Sequence, residues 1–446
     1  MTSQAPEVGE KREKVVLVGL ARSSRDLDAS EDSLEELAQL ADTAGAEAVE
    51  RVLQVKQSPD PATYIGKGKA QEVVEIARRL NASAIVFDDE LAPAQGRNLE
   101  DLAGVNPLAP DALKIIDRTG LILDVFAQHA SSAEGKLQVE LAQINYMVPR
   151  LRGWGDVMSR IGGGRASGGG ASGPGLGTRG PGETKLEVDR RRISRRLVKL
   201  KQELKEVERT RGTKRAQRLR SGIFQISLVG YTNSGKSTLL NALTGAGALV
   251  ENKLFSTLDP TARKLEMPDG SKVVLIDTVG FVQKLPHQLV EAFRSTLEET
   301  VHSDLLLHVV DASRADPKAQ VEAVNGVLSD IGASEIPGLV ALNKSEELTE
   351  GDRRALERVF PGAVFISALK GVGLDLLAEK IAESLPGRRT LATFKIPFSR
   401  PELRSMLHRD AEVINETSGE EGMELQVKAP PALISKWAEF VVSTFS

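Results

Sequence analysis

The sequence predicts a multidomain α/β protein. We expect an N-terminal α/β domain with a long antiparallel two-helix hairpin, a second α/β domain and a small α+β C-terminal domain. Strand-like and helix-like segments alternate from residue 14 to about 125 and again from 223 to about 388, which is typical of mostly parallel sheets. Between these regions, two segments with heptad spacing flank a glycine-rich stretch. The 446 residues fit roughly three domains of about 150 residues each.

The N-terminal domain is predicted to span residues 1–130. The stretch KVVLVGL is typical of a strand, and EDSLEELAQLADTAG is typical of an amphipathic helix that ends at Gly45. AIVFDDEL is an apolar run that closes in carboxylates, as a buried strand end does. PAQGRNLEDL predicts a helix with Pro93 near its start. This order favours a small, mostly parallel sheet.

Two heptad stripes predict the hairpin, which we assign to residues 131–220. Apolar residues in both stripes follow the spacing 4, 3, 4, 3. The stripes consist of Leu137, Leu141, Ile144, Val148 and Leu151, and of Ile193, Leu197, Leu200, Leu204 and Val207. Residues from about 153 to 183 are rich in glycine and predict a long loop at the tip. Alternatively, the two helices belong to the core of a neighbouring domain.

The second helix of the predicted hairpin is strongly basic. Residues 185–220 contain fifteen Lys or Arg and five Asp or Glu, a local net charge of +10 in a chain whose net charge is −4. Such lopsided charge on an extended helix favours contact with a phosphate backbone through counterion release. A solvated coiled-coil face is the plainer interpretation. Charge alone does not choose among DNA, RNA and an acidic protein surface.

The last two predicted domains cover residues 221–388 and 389–446. The first of them alternates strands and helices, as described above, and contains the strongest motifs of the chain. The second has the order strand, helix, strand, strand, helix, which predicts a small α+β domain.

Composition excludes several classes of protein. The chain has no cysteine, which excludes disulfides and Cys-ligated metals, and its five histidines lack metal-ligand spacing. It has no apolar run of about 18 residues that would predict a membrane-spanning helix, and its polar N-terminus lacks a signal-peptide core. We therefore expect a cytoplasmic monomer without membrane insertion. Peripheral association with a membrane stays open.

The strongest local motif is GYTNSGKS, Gly230 to Ser237. A strand-like run leads into it and a leucine-rich helix follows, which is the context of a phosphate-binding P-loop. Its glycines let backbone N–H groups turn toward a β-phosphate, and the helix N-terminus adds partial positive charge. Lys236 would bind β- and γ-phosphate oxygens, and the Ser237 hydroxyl would bind Mg²⁺. The predicted phosphate-loop contacts are Gly230, Tyr231, Thr232, Asn233, Ser234, Gly235, Lys236 and Ser237.

Four downstream motifs discriminate among P-loop proteins. VVLIDTVG would bring Asp277 to the magnesium shell through water, and FSTLDP supplies Thr257 as a further magnesium ligand beside Ser237. LVALNKSE and VFISALKG resemble the guanine-recognition loops of GTPases. The predicted contacts are Phe255, Ser256, Thr257, Leu258, Asp259, Asp277, Thr278, Val279, Gly280, Asn343, Lys344, Ser345, Glu346, Ser367, Ala368 and Leu369. These motifs predict a GTPase that binds GTP, GDP and Mg²⁺. The alternatives are a plain surface turn at Asn343 and a P-loop kinase, which would leave the guanine loops unexplained.

The candidate catalytic residues are Lys236, Thr257 and Gly280, and two other positions depart from the usual pattern. Glu346 stands where the guanine motif has an aspartate, and its longer side chain would still accept two hydrogen bonds if the loop backs off slightly. Phe281 stands where many GTPases have a water-orienting glutamine. We therefore expect slow intrinsic hydrolysis until a backbone group, a late-ordering residue or a partner completes the site. Simple packing of the phenyl ring is the alternative.

These motifs together resemble the HflX family of GTPases, in the Obg–HflX group. The resemblance runs from about residue 14 to 388, and its motifs include TYIGKGKAQEV, FDDELAPAQGRNLED, GTRGPGETKLEVDRRRI, GYTNSGKSTLLNALTG and DTVGFVQKLPHQLVEAFRSTLEE. It implies binding to the large ribosomal subunit and its RNA, through the basic helix 185–220 and the glycine-rich loop. It also implies splitting or rescue of stalled or idle ribosomes, linked to stress. Ser234 replaces the family's usual alanine, and the extra segment GGGRASGGGASGP would change the reach of the loop.

A second hypothesis comes from a different class of protein. The segment YIGKGK, Tyr64 to Lys69, is rich in glycine and lysine, which loosely suggests a second nucleotide site. The chain would then act mainly as an RNA-binding and remodelling module with an ATP-dependent activity in its N-terminal domain. The segment lacks the spacing of a P-loop.

Overall fold

The computed structural model describes most of the chain. The described residues are 12–104, 112–150, 185–220, 223–245, 254–255, 260–267, 272–284, 289, 294–314, 316–384, 390–419, 422–429, 433–434 and 437–445. Three separate sheets lie within these ranges. No helix in the described part of the chain combines the length and the apolar character needed to cross a membrane.

The N-terminal domain is a parallel sheet with helices on both faces. Its elements are β1 (Glu13–Ala21), α1 (Leu27–Thr43), β2 (Ala46–Val55), α2 (Lys67–Arg79), β3 (Ala84–Phe87), α3 (Pro93–Leu102), β4 (Lys114–Asp117) and α4 (Arg118–His129). The strand order is β2-β1-β3-β4. Val15 and Leu17 pack with α1 and α4, whereas Val16 and Val18 pack with α2 and α3. This alternation explains why β1 is almost continuously apolar.

Two further helices carry the predicted heptad stripes. They are α5 (Ala133–Met147) and α6 (Lys185–Arg220). Leu141 and Ile144 of α5 share one apolar cluster with residues of α6, namely Ile193, Leu200 and Leu204. Arg196 also donates two hydrogen bonds of 2.6 Å each to the carboxylate of Glu140. The two stripes therefore meet in one contact that a bidentate ion pair supports.

The predicted tip of the hairpin lies outside the described residues, which stop at 150 and resume at 185. Val148, the next position of the first stripe, lies in a short 3₁₀ turn, Val148–Arg150, and is 40% exposed. The described contact between α5 and α6 thus ends before this turn, and the hairpin connection stays a prediction.

The second α/β domain contains a larger sheet. Its elements are β5 (Phe224–Val229), α7 (Lys236–Thr244), β6 (Thr261–Glu266), β7 (Lys272–Asp277), α8 (Arg294–Val301), β8 (Leu305–Asp311), α9 (Pro317–Asp330), β9 (Gly338–Asn343), α10 (Glu350–Val359), β10 (Val364–Phe365) and α11 (Leu374–Ser384). The strand order is β10-β9-β8-β5-β7-β6, and all pairs are parallel except β6 with β7. The carboxyl ends of β5, β7, β8 and β9 therefore meet at one edge, where ligands of such sheets usually bind.

The C-terminal sheet is antiparallel. Its elements are β11 (Thr390–Pro397), α12 (Pro401–Asp410), β12 (Glu412–Ser418), β13 (Gly422–Ala429) and β14 (Val441–Phe445). The strand order is β12-β13-β11-β14. Leu403 and Leu407 of α12 pack on Phe394 and Leu425 of the sheet, which gives this region its own apolar core.

The apolar core of the N-terminal domain continues into the second α/β domain. Val279 and Val282, which follow β7, belong to the same buried cluster as Leu37 of α1. Phe255 packs edge-on against Phe126 of α4, with the ring centroids 4.5 Å apart. The two domains are thus joined by apolar burial at segments that adjoin the P-loop motif.

Candidate nucleotide site

The turn between β5 and α7 has the tight backbone of a phosphate-binding loop. Gly230 and Gly235 have φ angles of +152° and +91°, which residues with a side chain rarely adopt. A Cβ atom on Gly230 would lie 2.2 Å from the carbonyl oxygen of Val309, and one on Gly235 would lie 2.2 Å from Nδ2 of Asn343. Both positions therefore require glycine, so that the loop can wrap closely at the N-terminus of α7.

Two buried hydroxyls of this loop have no hydrogen-bond partner in the part of the chain that the structure describes. The buried hydroxyls of Thr232 and Ser234 make no hydrogen bond to the described residues. Asn233 lies between them in the left-handed conformation, with φ of +60°. Because buried polar groups are usually hydrogen-bonded, unpartnered groups in this loop are consistent with a ligand site.

Lys236, the first residue of α7, is buried against the loop. Its Nζ donates hydrogen bonds of 3.1 and 2.8 Å to the backbone carbonyls of Gly230 and Tyr231. Burial lowers the pKa of Lys236 to about 8, although the carboxylate of Asp277 acts in the opposite direction. A desolvated ammonium in this position would be stabilised by an anionic ligand.

Ser237 and Asp277 suit the predicted magnesium ion. The Ser237 hydroxyl donates a hydrogen bond of 2.6 Å to Oδ2 of Asp277, which ends β7 and is buried. Hydroxyl and carboxylate oxygens are the ligands that Mg²⁺ prefers in proteins, so this pair fits the ion. Thr257, the third candidate ligand, lies outside the described residues, as do its neighbours Ser256, Leu258 and Asp259.

Asn343, at the end of β9, connects the P-loop with the second guanine loop. Its Nδ2 donates to the carbonyl of Ser234 at 2.8 Å, and its Oδ1 accepts from the N–H of Ala368 at 2.9 Å. The adjacent Lys344 is left-handed, with φ of +61°, and its Nζ lies 2.6 Å from Oδ2 of Asp311. A plain surface turn would not need these buried contacts, so the geometry favours the guanine-recognition interpretation.

The remaining predicted residues of the guanine loops lie in two short segments that follow β9 and β10. Glu346 lies in a 3₁₀ helix, Ser345–Glu347, and its buried Oε2 has no hydrogen-bond partner among the described residues. The Ser367 hydroxyl accepts the N–H of Lys370 at 3.1 Å, and the side chain of Leu369 is 81% exposed. The free Oε2 is therefore an acceptor that a ligand would satisfy.

The segment after β7 is hydrogen-bonded to the P-loop. The N–H of Phe281 donates to the carbonyl of Gly230 at 3.1 Å, and the N–H of Thr232 donates to the carbonyl of Phe281 at 2.7 Å. The Thr278 hydroxyl donates to the carbonyl of Leu228 at 2.6 Å. The Phe281 ring is 2% exposed and packs in an apolar cluster that includes Val229, Tyr231 and Leu297. The ring therefore packs in a core, while its backbone contacts the P-loop.

Comparison with known proteins gives these motifs a family. Three family models match the chain. The model described as "GTP-binding GTPase N-terminal" matches residues 31–127, and the one described as "GTP-binding GTPase Middle Region" matches residues 129–218. The model described as "50S ribosome-binding GTPase" matches residues 225–344. The chain is 44% identical over 440 residues to GTPase HflX of Caldanaerobacter subterraneus, which covers 98% of this chain and 96% of the relative. It is also 41% identical over 407 residues to GTPase HflX of Escherichia coli, an alignment that covers 90% of this chain and 91% of the relative. The chain belongs to the HflX family of GTPases.

Membership of the HflX family confirms the resemblance and the GTPase activity that the motifs predict. The second α/β domain is thus the P-loop GTPase domain, called the G domain below. Among solved structures, a GTP-binding protein from Sulfolobus solfataricus in complex with GDP is 25% identical, with a TM-score of 0.40 over 83% of this chain and 98% of that chain.

Sequence reasoning missed the contacts between the G domain of this HflX-family chain and its N-terminal domain. The Tyr231 hydroxyl donates to the carboxylate of Glu36 in α1. Nζ of Lys284 lies 2.5 Å from Oδ2 of Asp88 and 2.6 Å from Oδ1 of Asp89, just beyond β3. The stretch AIVFDDEL could have indicated these contacts, because the carboxylates at the end of a buried apolar strand need a charged or polar partner.

A buried histidine beside the P-loop was also missed. His308 lies in β8 and is 6% exposed. Burial lowers the pKa of His308 to about 4, and the nearby charge of Lys236 acts in the same direction. The imidazole is therefore neutral near pH 7 and adds no positive charge beside Lys236.

Proposed function

We propose that this HflX-family GTPase uses GTP binding and hydrolysis to act on the large ribosomal subunit, splitting or rescuing stalled or idle ribosomes, as part of a stress response. The observation that carries the proposal is the long basic helix α6 in the same chain as the P-loop site. The printed description of the model that matches the G domain, 50S ribosome-binding GTPase, supports the same partner.

The exposed face of α6 suits an RNA backbone. Its apolar residues face α5, while basic side chains on the other side are exposed. The exposed basic residues include Arg192, Arg195, Lys199, Lys201 and Lys205. Guanidinium and ammonium groups on one helix face release counterions when they meet phosphates, so binding would weaken steeply with salt. Residues of the glycine-rich loop, about 153–183, would contact the same RNA.

At the nucleotide site, we assign GTP and GDP to the P-loop and the guanine loops. Lys236 would bind the β- and γ-phosphates, and the unpartnered carboxylate oxygen of Glu346 would accept a guanine hydrogen. Ser237 and Thr257 would bind Mg²⁺ directly and Asp277 through water. The bound ion would neutralise phosphate charge. The side chain of Glu346 is longer than that of the usual aspartate. Its Oε2 is already buried within the loop, so the loop would accommodate the extra length.

Hydrolysis would be slow without the ribosome. The Phe281 ring is buried and offers no polar group to orient water. The partner would then complete the site, once a γ-phosphate has displaced the segment around Gly280 from the P-loop and GTP has ordered Thr257.

We test this function by measuring GTP hydrolysis as purified large subunits are added. We expect a low basal rate that rises with subunit concentration. The double variant R195E/K199E should need more subunits for the same stimulation and show a shallower salt dependence, because it removes about two phosphate contacts. The matched control is K318E, an exposed charge reversal on α9. Absence of stimulation at any subunit concentration would contradict the proposal.

The glycine-rich loop gives a second arm of the same experiment. Deletion of residues 162–175 should leave nucleotide affinity intact and weaken the effect of subunits on hydrolysis. Unchanged subunit stimulation would refute the proposed role of the loop.

Residues of the YIGKGK segment make structural contacts, and we therefore favour the ribosome-directed function over the ATP-dependent alternative. Tyr64 packs edge-on against Phe87 at 5.8 Å, and its hydroxyl donates to Asp89. The N–H of Gly66 donates to Oε1 of Gln54 at 3.1 Å, and α2 begins at the next residue. These contacts position the start of α2. ATP hydrolysis that persists in a Lys236→Ala variant would restore the alternative.

We also propose the domain limits expected from the sequence. They are 1–130 for the N-terminal domain, 131–220 for the hairpin, 221–388 for the G domain and 389–446 for the α+β domain. The described sheets and the α5–α6 contact support this division. We propose a monomer that acts in the cytoplasm, and peripheral association with a membrane stays an option.

A further inference from the structure

We propose that Asp311 is a positioning residue for the guanine base, because it holds the side chain of Lys344 as one fixed side of the guanine pocket. The inference rests on the proposed GTP and GDP site and deepens it. Asp311 lies outside the motifs that predicted the site. It would act through Lys344 and would not touch the nucleotide itself.

The first step is that Asp311 lies beside the first guanine loop. It is the last residue of β8 and is paired in register with Asn343, the last residue of β9. The N–H of Ala312 donates to the carbonyl of Asn343 at 3.0 Å, which joins the two strand ends. The carboxylate of Asp311 is 5% exposed, so it needs partners that offset its desolvation.

The second step is that the two carboxylate oxygens of Asp311 have different partners. Oδ1 accepts the N–H of Ser313 at 3.1 Å and the hydroxyl of the same residue at 2.7 Å. Oδ2 accepts a hydrogen bond of 2.6 Å from Nζ of Lys344. Nε of Arg314 lies farther away, at 3.7 Å from Oδ2. Ser313 therefore fixes the carboxylate with Oδ2 toward Lys344.

The third step is that Lys344 is constrained at both ends. Its backbone is left-handed, with φ of +61°, a conformation that residues with a side chain rarely adopt. Its side chain is 28% exposed, and Nζ is held by Asp311. An unpaired lysine loses rotamer freedom when a ligand immobilises it. The ion pair therefore orders the lysine before a nucleotide binds, which favours affinity.

The constrained lysine lies between two residues that the guanine site needs. Asn343 precedes it and bonds to the carbonyl of Ser234 in the P-loop. Glu346 follows two residues later, with a buried oxygen that has no partner in the described part of the chain. Because Nζ is bound to Asp311, the four-carbon stem of Lys344 remains for a ligand, and such stems cover flat apolar surfaces. A purine ring offers that surface while its edge bonds to Glu346.

The test measures the affinity of Asp311→Asn for GDP and for inosine diphosphate, which lacks the 2-amino group of guanine, by isothermal titration calorimetry. Asparagine keeps the shape and removes the charge that holds Lys344. We expect both affinities to fall about fivefold to tenfold, because contact with the ring face does not depend on the 2-amino group. The matched control is Asp304→Asn, at the opposite end of β8, where Oδ2 of Asp304 accepts the N–H of Gln225 at 2.8 Å. It should leave both affinities unchanged.

A double-mutant cycle shows whether Asp311 acts through Lys344. In a Lys344→Ala background, Asp311→Asn should have no further effect on either affinity, because the stem that it positions is gone. A further loss as large as that in the unmodified background would overturn the proposal. Glu346→Ala gives the comparison with an edge contact, since it should weaken binding of GDP more than binding of inosine diphosphate.

Ser313→Ala protects the test against misfolding, because Ser313 is exposed. It removes the hydroxyl that fixes Oδ1 of Asp311, and we expect both affinities to fall about twofold. Chemical denaturation gives the free energy of unfolding of each variant. Unchanged affinities in both single variants, whatever the loss of stability, would overturn the positioning role. If the unmodified chain bound neither nucleotide, the proposed nucleotide site itself would be wrong instead.

Discussion

The two α/β domains both place buried charge at the carboxyl ends of their parallel strands, yet the charges are satisfied differently. In the G domain, the hydrogen-bond partners of Lys236 among the described residues are two backbone carbonyls, and its pKa is lowered to about 8. In the N-terminal domain, Arg118 is paired with Asp88 and Glu36. Lys284 of the G domain pairs with the same carboxylate of Asp88. The first edge is suited to a ligand, whereas protein side chains fill the second, so similar architecture does not imply similar use.

The largest expected effect is a loss of stability when the buried ion pairs of the N-terminal domain are broken. Arg118→Met leaves the buried carboxylate of Asp88 without its main partner, and we expect a loss of about 3–5 kcal/mol in the free energy of unfolding. Chemical denaturation measures it. The control Arg51→Met breaks an exposed pair with Glu35 and should cost at most about 1 kcal/mol. Equal losses of unfolding free energy in the two variants would contradict the expected difference between the buried and the exposed ion pair.

At the carboxyl edge of the G-domain sheet, we expect substitution of Lys236 to weaken nucleotide binding rather than to destabilise the fold. Lys236→Ala removes two charge-assisted contacts to phosphate, and we expect affinity for GTP and GDP to fall about 100-fold. The free energy of unfolding should change little, because the variant also removes a desolvated cation. Calorimetric titration and denaturation of the same sample separate the two quantities. Nucleotide affinity retained within about threefold would contradict the assignment of Lys236.

A smaller effect is expected at the guanine loop. Glu346→Ala should lower affinity for GTP about tenfold and leave weak ATP binding unchanged, since it removes hydrogen bonds to guanine alone. Glu346→Asp should restore most of the loss, and Glu347→Ala, one residue on and exposed, should have no effect. Competition with a fluorescent GDP measures all three variants. Equal losses of GTP and ATP affinity would remove Glu346 from guanine recognition.

The smallest effect is the dependence of affinity on pH. The pKa of Lys236 is about 8 in the free protein, and bound phosphates would raise it. Below pH 8 the lysine is charged in both states, so affinity is constant. Above pH 8 only the free protein loses its proton, so affinity falls by up to about tenfold per pH unit. Calorimetry at pH 8.5 in buffers of different ionisation enthalpy should detect proton uptake. Its absence there would contradict the lowered pKa.

Local motifs made the G domain predictable. The P-loop is a contiguous stretch, and the structure requires glycine at Gly230 and Gly235, where the motif has it. Asn343 contacts Ser234 and Ala368 because parallel strands bring their carboxyl ends to one edge. The motif order already implied that meeting. Such features are encoded by short spacings and strand ends, which sequence reasoning can use.

Contacts between domains were not predictable in the same way. Lys284 and Asp88 are 196 residues apart, and no periodicity connects them. Phe281 suggested an incomplete catalytic site in the sequence, but the structure places its ring in an apolar cluster and its backbone on the P-loop. Neither the burial of that ring nor the packing of Phe255 on Phe126 follows from local pattern, because both depend on how two domains meet.

The proposed GTPase function requires that residues 277–284, which are closed on the P-loop, move away when a γ-phosphate binds. Hydrogen exchange at the amides of Phe281 and Gln283 tests it most directly, since these N–H groups bond to Gly230 and to the Tyr231 hydroxyl. We expect both amides to be protected with GDP and to exchange faster with a non-hydrolysable GTP analogue. Equal protection in the two nucleotide states would contradict the account.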